Sequence, residues 1–172
     1  IGAGPAASAA AITLRNHAPQ FSCLLIEKSD FQEDRIGESL SPMANRFLQQ
    51  LEVSESILQD NHLRTHTTMA CWGQAEPLHN EFIAHLHGYG WRLERNKFDY
   101  DLAKAAEEKA AQLLLNCTYT RHEKIDNHWN VFCKTQQADH ETEIQIHAKY
   151  IIDASGRKGV FAKKEGAKKQ IF

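Results

Sequence analysis

The sequence lacks the patterns that mark several common classes of protein. Its four cysteines form no C-x-x-C pair, and none of its ten histidines falls into a metal-binding spacing such as H-E-x-x-H. Zinc-binding and thioredoxin-like sites are therefore unsupported, and no metal site is expected. No stretch approaches the roughly 20 apolar residues that a membrane span requires. The chain also has no internal repeat, no Ser-His-Asp order and no evident catalytic pair of carboxylates, so no acid–base catalyst is nominated.

Composition and charge narrow the remaining classes. The hydrophobic fraction of 42% and the charged fraction of 24% are typical of a soluble globular protein. A formal net charge of −2, without an obviously basic face, argues against a dedicated nucleic-acid binder. The four cysteines are widely spaced and no secretory signal is visible, so we expect reduced, mostly buried thiols and a cytoplasmic protein.

Small residues near the start of the chain follow the pattern of a dinucleotide-binding turn. Gly2, Gly4 and Ala7 stand at the spacing G-x-G-x-x-A. In such a turn the first glycine permits a tight bend, the second leaves room for a diphosphate, and the small third residue lets a helix pack on the sheet. The N-terminal N–H groups of that helix would point at the phosphates. Glu27 ends an apolar run about one helix later, where an acid accepts hydrogen bonds from a ribose hydroxyl.

Two further observations bear on this motif. A chance loop of small residues is the alternative for an isolated G-x-G-x-x-A, but the amphipathic run and the strand that ends in Glu27 make it the weaker interpretation. Only Ile1 remains of the hydrophobic strand that precedes such a turn, and no initiator Met is present. We therefore expect the chain to be an internal piece of a longer protein, truncated at both ends.

The order of the predicted elements indicates an α/β fold. We predict a parallel, Rossmann-like sheet with flanking helices and an antiparallel three-strand crossover layer. Ser41 is expected to cap the second helix and Asn96 the long helix, because both side chains are good N-caps. Helices are predicted over residues 5–17, from residue 42, over 54–59 and over 97–112. Strands are predicted over residues 21–27, 65–72, 91–94, 113–119, 121–125, 128–135, 142–147 and 150–154.

Several segments, in order along the chain, resemble the FAD-dependent oxidoreductases of the glutathione-reductase fold. They are residues 2–8, 26–28, 34–42 and 151–157. The Arg-Ile-Gly-Glu-Ser-Leu stretch at residues 35–40 is similar to the flavin monooxygenase and tryptophan-halogenase branch. Residues 90–99, with an Arg followed by a Phe-Asp pair, resemble the helix-entry segment of that branch. The Trp-Gly and Gly-Trp pairs around the insertion favour the flavin monooxygenases that modify Trp or Lys side chains in quinone-cofactor proteins.

The resemblance implies a partial FAD-binding domain over residues 1–172. Its parts are a cradle over residues 1–40, an insertion with substrate-domain elements at about 60–95, a long helix and meander over 96–148, and a return strand over 149–157. FAD is the implied cofactor. The implied cofactor-binding residues are Gly2, Gly4, Pro5, Ala6, Ala7, Glu27, Lys28, Arg35, Glu38, Ser39, Arg95, Asp153 and Gly156.

Several of these residues have a structural alternative. Arg35 either binds the FAD phosphates or ribityl chain or pairs with Asp34. Glu38 either faces the cofactor or caps the helix that begins near Pro42. Arg95 either touches FAD or pairs with Glu94 or Asp99.

Two other parts of the sequence also leave alternatives open. Asp153 either binds a ribose or structures the turn that contains Gly156. Trp72 and Trp91 either line an aromatic pocket or belong to the core, which is the commoner place for tryptophan.

The resemblance predicts a flavin-dependent monooxygenase-like oxidoreductase that acts on an aromatic or amine group, a protein side chain included. Reduced flavin or NAD(P)H is the implied electron source, and neither a nucleic-acid partner nor a membrane span is expected. A flavin halogenase or a geranylgeranyl-reductase-like enzyme is the alternative. Halogenases carry a Lys downstream of the Gly-Glu segment, and residues 65–71 contain none. A non-catalytic nucleotide-binding remnant is the alternative of another class.

Overall fold

The computed structural model describes residues 1–53, 56–59, 62–73, 76–137, 140–168 and 170. The helices are α1 (Pro5–His17), α2 (Met43–Gln50), α3 (Ser56–Gln59), α4 (Arg95–Glu108) and α5 (Val160–Lys164). The strands are β1 (Leu24–Ile26), β2 (Glu38–Leu40), β3 (Leu63–Thr65), β4 (Thr67–Ala70), β5 (Leu78–Glu81), β6 (Gly90–Leu93), β7 (Gln112–Leu114), β8 (Cys117–Ile125), β9 (His128–Gln137) and β10 (His140–Ala148). The chain divides into a first unit, Ile1–Glu33 with Leu102–Phe172, and a second unit, Asp34–Asp101.

The first unit is built on a parallel pair of strands. β1 pairs with β7 in parallel, and Leu25 lies opposite Leu113. The extended residues at the start of the chain continue this sheet: Gly2 N–H donates to Ile26 O at 2.8 Å, and Ala154 N–H donates to Ile1 O at 2.9 Å. Ile1 therefore lies between β1 and the segment around Ala154. The predicted α/β class is confirmed.

The predicted strand over residues 150–154 is wrong as a buried strand. Neither this range nor the longer return strand over 149–157 is assigned as a strand. Tyr150 is 70% exposed and Ile152 is 60% exposed, although the backbone of Ile152 still accepts a hydrogen bond from Ile1 N. The backbone of this segment joins the sheet and Ile151 packs against the core, but Tyr150 and Ile152 face solvent, so the segment is buried on one face only. The predicted strand over 21–27 is shorter than expected for a similar reason, since Phe21 is 44% exposed.

The antiparallel crossover layer is confirmed. β8, β9 and β10 form a three-stranded sheet in the order β10-β9-β8. Asp126, with a φ of 52°, begins the turn between the strands predicted over 121–125 and 128–135, so Ile125 lies opposite His128. The sequence between the strands predicted over 128–135 and 142–147 indicates a second turn over 136–140, but residues 138 and 139 lie outside the described residues. One core cluster joins this layer to β1, and its buried members are Ile26, Cys117, Val131 and Cys133.

The expectation about the cysteines is confirmed only in part. All four are free thiols, Cys117 and Cys133 are buried, and Cys71 is exposed. Burial raises the pKa of Cys133 to about 12, so this thiol stays protonated at neutral pH. It therefore acts as a small apolar core residue rather than as a nucleophile.

The second unit contains two antiparallel sheets and the short helix α2. The sheets have the strand orders β2-β6-β3 and β4-β5, so the strand predicted over 65–72 is interrupted at His66. Ser41 does not cap α2 with its side chain, because Pro42 already has helical backbone angles and occupies the N-cap position. The spacing of Met43, Phe47, Leu48 and Leu51 predicts a buried stripe on α2, but this prediction is wrong for its first two residues: Met43 is 37% exposed and Phe47 is 57% exposed. The short helix predicted over 54–59 appears as α3, and residues 54 and 55 lie outside the described part.

The long helix α4 begins and ends elsewhere than its sequence predicts. Phe98 N–H donates to Glu94 O at 3.0 Å, which closes the first helical turn before Asn96, so Asn96 is not the cap. At the other end, Ala111 N–H donates to Ala106 O at 3.0 Å and Ala110 adopts a φ of 65°. Helices that end in this left-handed conformation commonly have glycine there. Because this chain has Ala110 instead, the sequence does not indicate where the helix ends.

Candidate functional site

The bend between residues 1 and 5 connects the sheet to α1. Gly2 has a φ of 96°, and an ideal Cβ there would lie 2.6 Å from Ala154 O, so only glycine fits. Gly4 is the N-cap residue of α1 and makes no side-chain cap, and Pro5 stands in the first helical turn. Ala7 is 5% exposed, which agrees with close packing of the helix against the sheet. The small residues of the motif therefore serve a turn, a helix start and a packing contact.

Glu27 lies directly against this bend. It follows β1 and is 6% exposed, and its Oε2 accepts a hydrogen bond from Ala3 N–H at 3.0 Å. Its Oε1 accepts bonds from Ser29 Oγ–H at 2.7 Å and Ser29 N–H at 3.2 Å. These donors compensate the cost of burying a carboxylate and hold it in one orientation. The negative charge therefore stands at the carboxyl end of a parallel strand, beside the glycine bend.

The bend has the shape and charge that the diphosphate of FAD requires. An ideal Cβ on Gly4 meets no heavy atom within 4 Å, so the space in front of the bend is open. A side chain at this position would fill that space. The first N–H groups of a helix have no partner within that helix, and the positive end of its dipole attracts anions. The first turn of α1 contains no acidic residue that would neutralise that end. The residues present therefore fit the cofactor.

Asp153 shapes the turn before α5. Its Oδ1 accepts bonds from Ser155 Oγ–H at 2.6 Å and Ser155 N–H at 3.1 Å, and its Oδ2 accepts bonds from the N–H groups of Phe161 at 2.9 Å and Ala162 at 2.8 Å. Asp153 therefore structures the turn, which is one of the two alternatives that the sequence left open. Gly156, with a φ of 70°, begins the 3-10 turn inside this loop and is exposed. Contact of either residue with the cofactor stays a prediction.

The hydrogen bonds of Asp153 also set its charge. Burial by itself would raise the pKa of Asp153, but the hydrogen bonds from Ser155, Ala162 and Phe161 outweigh burial and lower the pKa below its ordinary value of 3.8. A carboxylate with a lowered pKa stabilises the fold fully above its unfolded pKa and loses that contribution as the pH falls through the folded pKa. The capping contribution of Asp153 should therefore be present at neutral pH, begin to fall below about pH 4 and be lost as the pH passes below the folded pKa.

Replacing Asp153 with alanine should lower the free energy of unfolding by about 2 kcal/mol at pH 7, the upper range for a lost helix cap. Phe161 follows this cap, and its ring centroid lies 4.4 Å from that of His122, so the loss should also loosen α5 from β8. Urea unfolding of both proteins between pH 7 and pH 3 measures the difference. Asp30→Ala, which removes a single bond to Gln32 N–H, is the control. A difference that does not shrink in acid would contradict the capping role.

Four charged side chains of the second unit form one cluster, here called the arginine cluster: Arg35, Glu38, Arg95 and Asp99. Asp99 is fully buried and accepts bonds from Arg35 Nη1 at 2.8 Å and from Arg95 Nε and Nη2 at 3.0 Å each. Arg95 Nη1 also donates to Glu38 Oε2 at 2.6 Å. The hydrogen bonds to Asp99 raise the pKa of Arg95 above its ordinary value. Arg35 thus pairs with Asp99, and Arg95 also pairs with Asp99, whereas Glu94 pairs with Lys97.

The remaining predicted residues have simpler surroundings. Lys28 and Ala6 are exposed, and Ser39 is an exposed residue of β2 opposite Arg92 in β6. Their contact with the cofactor stays a prediction.

The structure separates the two tryptophans. Trp91 is 3% exposed and its Nε1–H donates to Asn45 Oδ1 at 2.7 Å, which makes it a core residue of the second unit. Trp72 is 80% exposed.

Sequence reasoning missed Ser29, which holds the carboxylate of Glu27. It named Asp99 only as a possible partner of Arg95, whereas Asp99 binds both Arg95 and Arg35. A signal for Asp99 exists, because it stands four residues after Arg95 in a helix, the spacing at which opposite charges meet. Ser29 had no such signal beyond its position two residues after an acid. Among the described residues, no group of three or more His, Cys, Asp or Glu side chains is placed to hold a metal ion. In the same part of the chain, no helix combines the length and the apolar character needed to cross a bilayer.

Comparison with known proteins agrees with this geometry. The chain is 32% identical over 163 residues to the FAD-dependent oxidoreductase LodB of Marinomonas mediterranea. The aligned region covers 91% of this chain and 42% of LodB. It is 28% identical over 171 residues to a 1H-pyrrole-2-carbonyl-[peptidyl-carrier protein] brominase of Pseudoalteromonas luteoviolacea. The aligned region covers 96% of this chain and 40% of the brominase. The chain thus spans less than half the length of these relatives.

A solved structure and a family model extend the agreement to the fold and the cofactor. The flavin-dependent halogenase CmlS superposes with a TM-score of 0.80 at 25% identity, over 96% of this chain and 30% of that one. The family model described as FAD binding domain matches residues 1–171. With the glycine bend and the buried acid in place, the chain belongs to the family of FAD-binding domains, and its cofactor is FAD.

Proposed function

We propose that the protein containing this chain is a flavin-dependent monooxygenase-type oxidoreductase that acts on an aromatic or amine group, including one on a protein side chain. The observation that carries the proposal is the buried Glu27 carboxylate held against the glycine bend. Identity of 32% to an FAD-dependent oxidoreductase supports the enzyme class. FAD, when bound, supplies the redox chemistry. The chain's own residues bind and orient it.

Each part of the bend has a separate task in that proposal. Gly2 makes the turn, and Gly4 lets the diphosphate approach the backbone. The N-terminal turn of α1, from Pro5 through Ala6 to Ala7, offers N–H groups and a positive dipole end to the phosphates. Glu27 accepts a hydrogen bond from a hydroxyl of the adenosine ribose. The chain thereby fixes the adenosine end of FAD, which orients the rest of the cofactor.

Replacing Glu27 with glutamine should weaken FAD binding about ten-fold, or about 1.4 kcal/mol. Glutamine has nearly the same size, but one acceptor oxygen becomes an NH₂ donor that faces N–H and O–H donors. We expect the same change to lower the free energy of unfolding by about 1–2 kcal/mol, because Ala3 N–H or Ser29 loses its acceptor. Titration of the apoprotein with FAD, followed by flavin fluorescence, measures the affinity.

The exposed Glu33, six residues further along the same loop, provides the control for Glu27. Glu33→Gln makes the same chemical change without a buried acceptor, and it should leave the FAD affinity within about two-fold of wild type. An unchanged affinity of the Glu27 variant would mean that the ribose contact is wrongly placed.

A first experiment on the full-length protein separates the proposed enzyme from a non-catalytic remnant. The purified protein should be yellow, or become so when FAD is added to the apoprotein. A protein that stays colourless with excess FAD would contradict the proposal. Anaerobic mixing with NADPH, and separately with externally reduced flavin, would show which of the two electron sources reduces the bound cofactor.

The halogenase alternative is supported by similarity to the brominase at 28% identity. Assays of the reconstituted protein with free tryptophan, in the presence and absence of bromide, separate the two activities by the mass of the product. Hydroxylated product in both conditions supports the monooxygenase, and brominated product supports the halogenase.

We also infer a cytoplasmic location from the four free thiols, which suit a reducing compartment. Detection of the protein in a cytosolic fraction tests this.

A further inference from the structure

The short helix α5 of the first unit depends on contacts with its surroundings. It spans five residues, whereas isolated helices shorter than about 12 residues are marginal in water. Its N-cap residue, Gly159, has no side chain with which to cap it. The helix is held instead at its two ends, by an aromatic group on the meander and by the carboxylate of Asp153.

Three side chains of the meander form the aromatic group, here called the aromatic seat: Tyr119 and His122 of β8 and Trp129 of β9. The ring centroid of Phe161 lies 4.4 Å from that of His122, 5.3 Å from that of Trp129 and 6.3 Å from that of Tyr119. Aromatic pairs at such separations contribute about 0.5–1.5 kcal/mol beyond the area that they bury. Phe161 is therefore the side chain through which α5 packs on the sheet.

Hydrogen bonds hold the central ring of this seat. The side chain of His122 is 8% exposed, and its Nδ1 is hydrogen-bonded to the hydroxyl of Tyr119. Its Nε2 lies 2.8 Å from Oε1 of Glu165, the residue that ends α5. Glu165 is 47% exposed, so the charge of this pair is screened by water and adds little stability. The two bonds nevertheless fix the orientation of the ring on which Phe161 packs.

The first turn of α5 holds the residues that enclose the glycine bend. Two N–H groups of that turn donate to Oδ2 of Asp153, which directly precedes Ala154. Ala154 N–H donates to Ile1 O at 2.9 Å, and Ala154 O would lie 2.6 Å from an ideal Cβ on Gly2. The side chain of Ile152 is 60% exposed and does not anchor this segment. A continuous series of contacts within the first unit therefore leads from the aromatic seat to the bend.

We propose that α5 and its aromatic seat position the glycine bend for FAD, so that Phe161 is a positioning residue for the cofactor. This inference rests on the proposed function, because it takes the bend as the place of the diphosphate. Phe161 acts through Asp153 and Ala154. If α5 leaves the seat, the backbone beside Gly2 gains conformations, and FAD has to order it again at a cost in free energy. The alternative is a helix that only covers the end of the meander.

The test measures FAD affinity and local hydrogen exchange in the full-length protein with Phe161→Ala. The change removes the ring from the seat and places a good helix former in α5. We expect the Kd for FAD to rise at least about five-fold at a temperature where the apoprotein is folded. Deuterium exchange of the apoprotein, followed by mass spectrometry, should be faster in a peptide that contains Ala154 and ends before α5. A helix that only covers the sheet would lose protection in α5 itself and leave the Kd and this peptide unchanged.

Phe21→Ala is the matched control, because it makes the same truncation in the first unit away from the bend. Phe21 is 44% exposed and precedes β1, at the opposite end of that strand from Glu27. The control should leave the Kd within about two-fold of wild type. Phe161→Leu should keep the Kd within about three-fold of wild type, because leucine fills much of the same space. Equal losses of affinity in the two alanine variants would overturn the inference.

Each remaining outcome also decides the question. Should Phe161→Ala fail to fold, Glu165→Ala carries the test, and wild-type exchange of the Ala154 peptide in that variant would overturn the inference. A raised Kd with unchanged exchange of this peptide also overturns it, because Phe161 would then act by another route. A folded Phe161→Ala that binds FAD as tightly as wild type overturns the inference and leaves the proposed function intact. Wild-type protein that binds no FAD overturns both.

Discussion

Replacing Gly4 with valine is expected to abolish FAD binding and to leave the fold almost unchanged. An ideal Cβ at Gly4 meets no heavy atom within 4 Å, and the φ of −70° is accessible to any L-residue. The side chain would instead occupy the space that the bound diphosphate needs. We expect the Kd for FAD to rise at least about 100-fold, or about 2.7 kcal/mol. The free energy of unfolding should fall by only about 1 kcal/mol, because valine is a poor N-cap.

A graded variant controls for unspecific damage at Gly4. Gly4→Ala adds a single methyl group, so its FAD affinity should fall between those of wild type and Gly4→Val, while the melting temperature of the apoprotein hardly changes. Fluorescence titration and thermal unfolding of the three apoproteins measure both quantities. A valine variant with wild-type affinity would show that the diphosphate does not lie at this bend.

Replacing Gly2 with alanine should have the opposite effect, a large loss of stability. The added Cβ would lie 2.6 Å from Ala154 O and 3.0 Å from Ala154 C, both backbone atoms that cannot rotate away. The φ of 96° is also unfavourable for any residue with a Cβ. We expect the free energy of unfolding to fall by at least about 3 kcal/mol, the range for backbone strain combined with a clash. Urea unfolding of the apoprotein measures the loss.

Gly88 separates the two causes of that loss. It also has a positive φ, 75°, but an ideal Cβ there meets no heavy atom within 4 Å. Gly88→Ala should therefore show strain without a clash and lower the free energy of unfolding by about 1–2 kcal/mol. Equal losses in the two variants would mean that the contact with Ala154 is relieved by a small backbone shift.

The two glycines of the bend illustrate how far the sequence goes at the cofactor site. The turn formed by Gly2, Gly4 and Ala7 could be predicted, because a short continuous segment contains the whole turn and each residue has a backbone reason to be there. The placement of Glu27 beside this turn could be predicted as well. The difference between Gly2, which a neighbouring backbone encloses, and Gly4, which faces open space, could not be predicted. It depends on Ala154, which lies far along the chain.

Element boundaries show the same division. α1 and the three strands of the meander follow from periodicity and from local turns such as the one at Asp126. The end of α4 does not, because Ala110 adopts a left-handed conformation without the usual glycine. The exposure of α2 could not be predicted from periodicity either, since an apolar stripe indicates burial only where another element covers it.

The sequence by itself determined the N-terminal glycine bend and, through its resemblance to a family, FAD as the cofactor, because the bend rests on backbone geometry and on residues close together in the chain. Only the tertiary structure decided which charges meet. Arg35 stands next to Asp34 in sequence, yet it pairs with Asp99, 64 residues away, and the carboxylate of Asp153 caps α5. Ion pairs and caps form where burial removes competing water, and burial is set by segments that approach one another only in the folded chain.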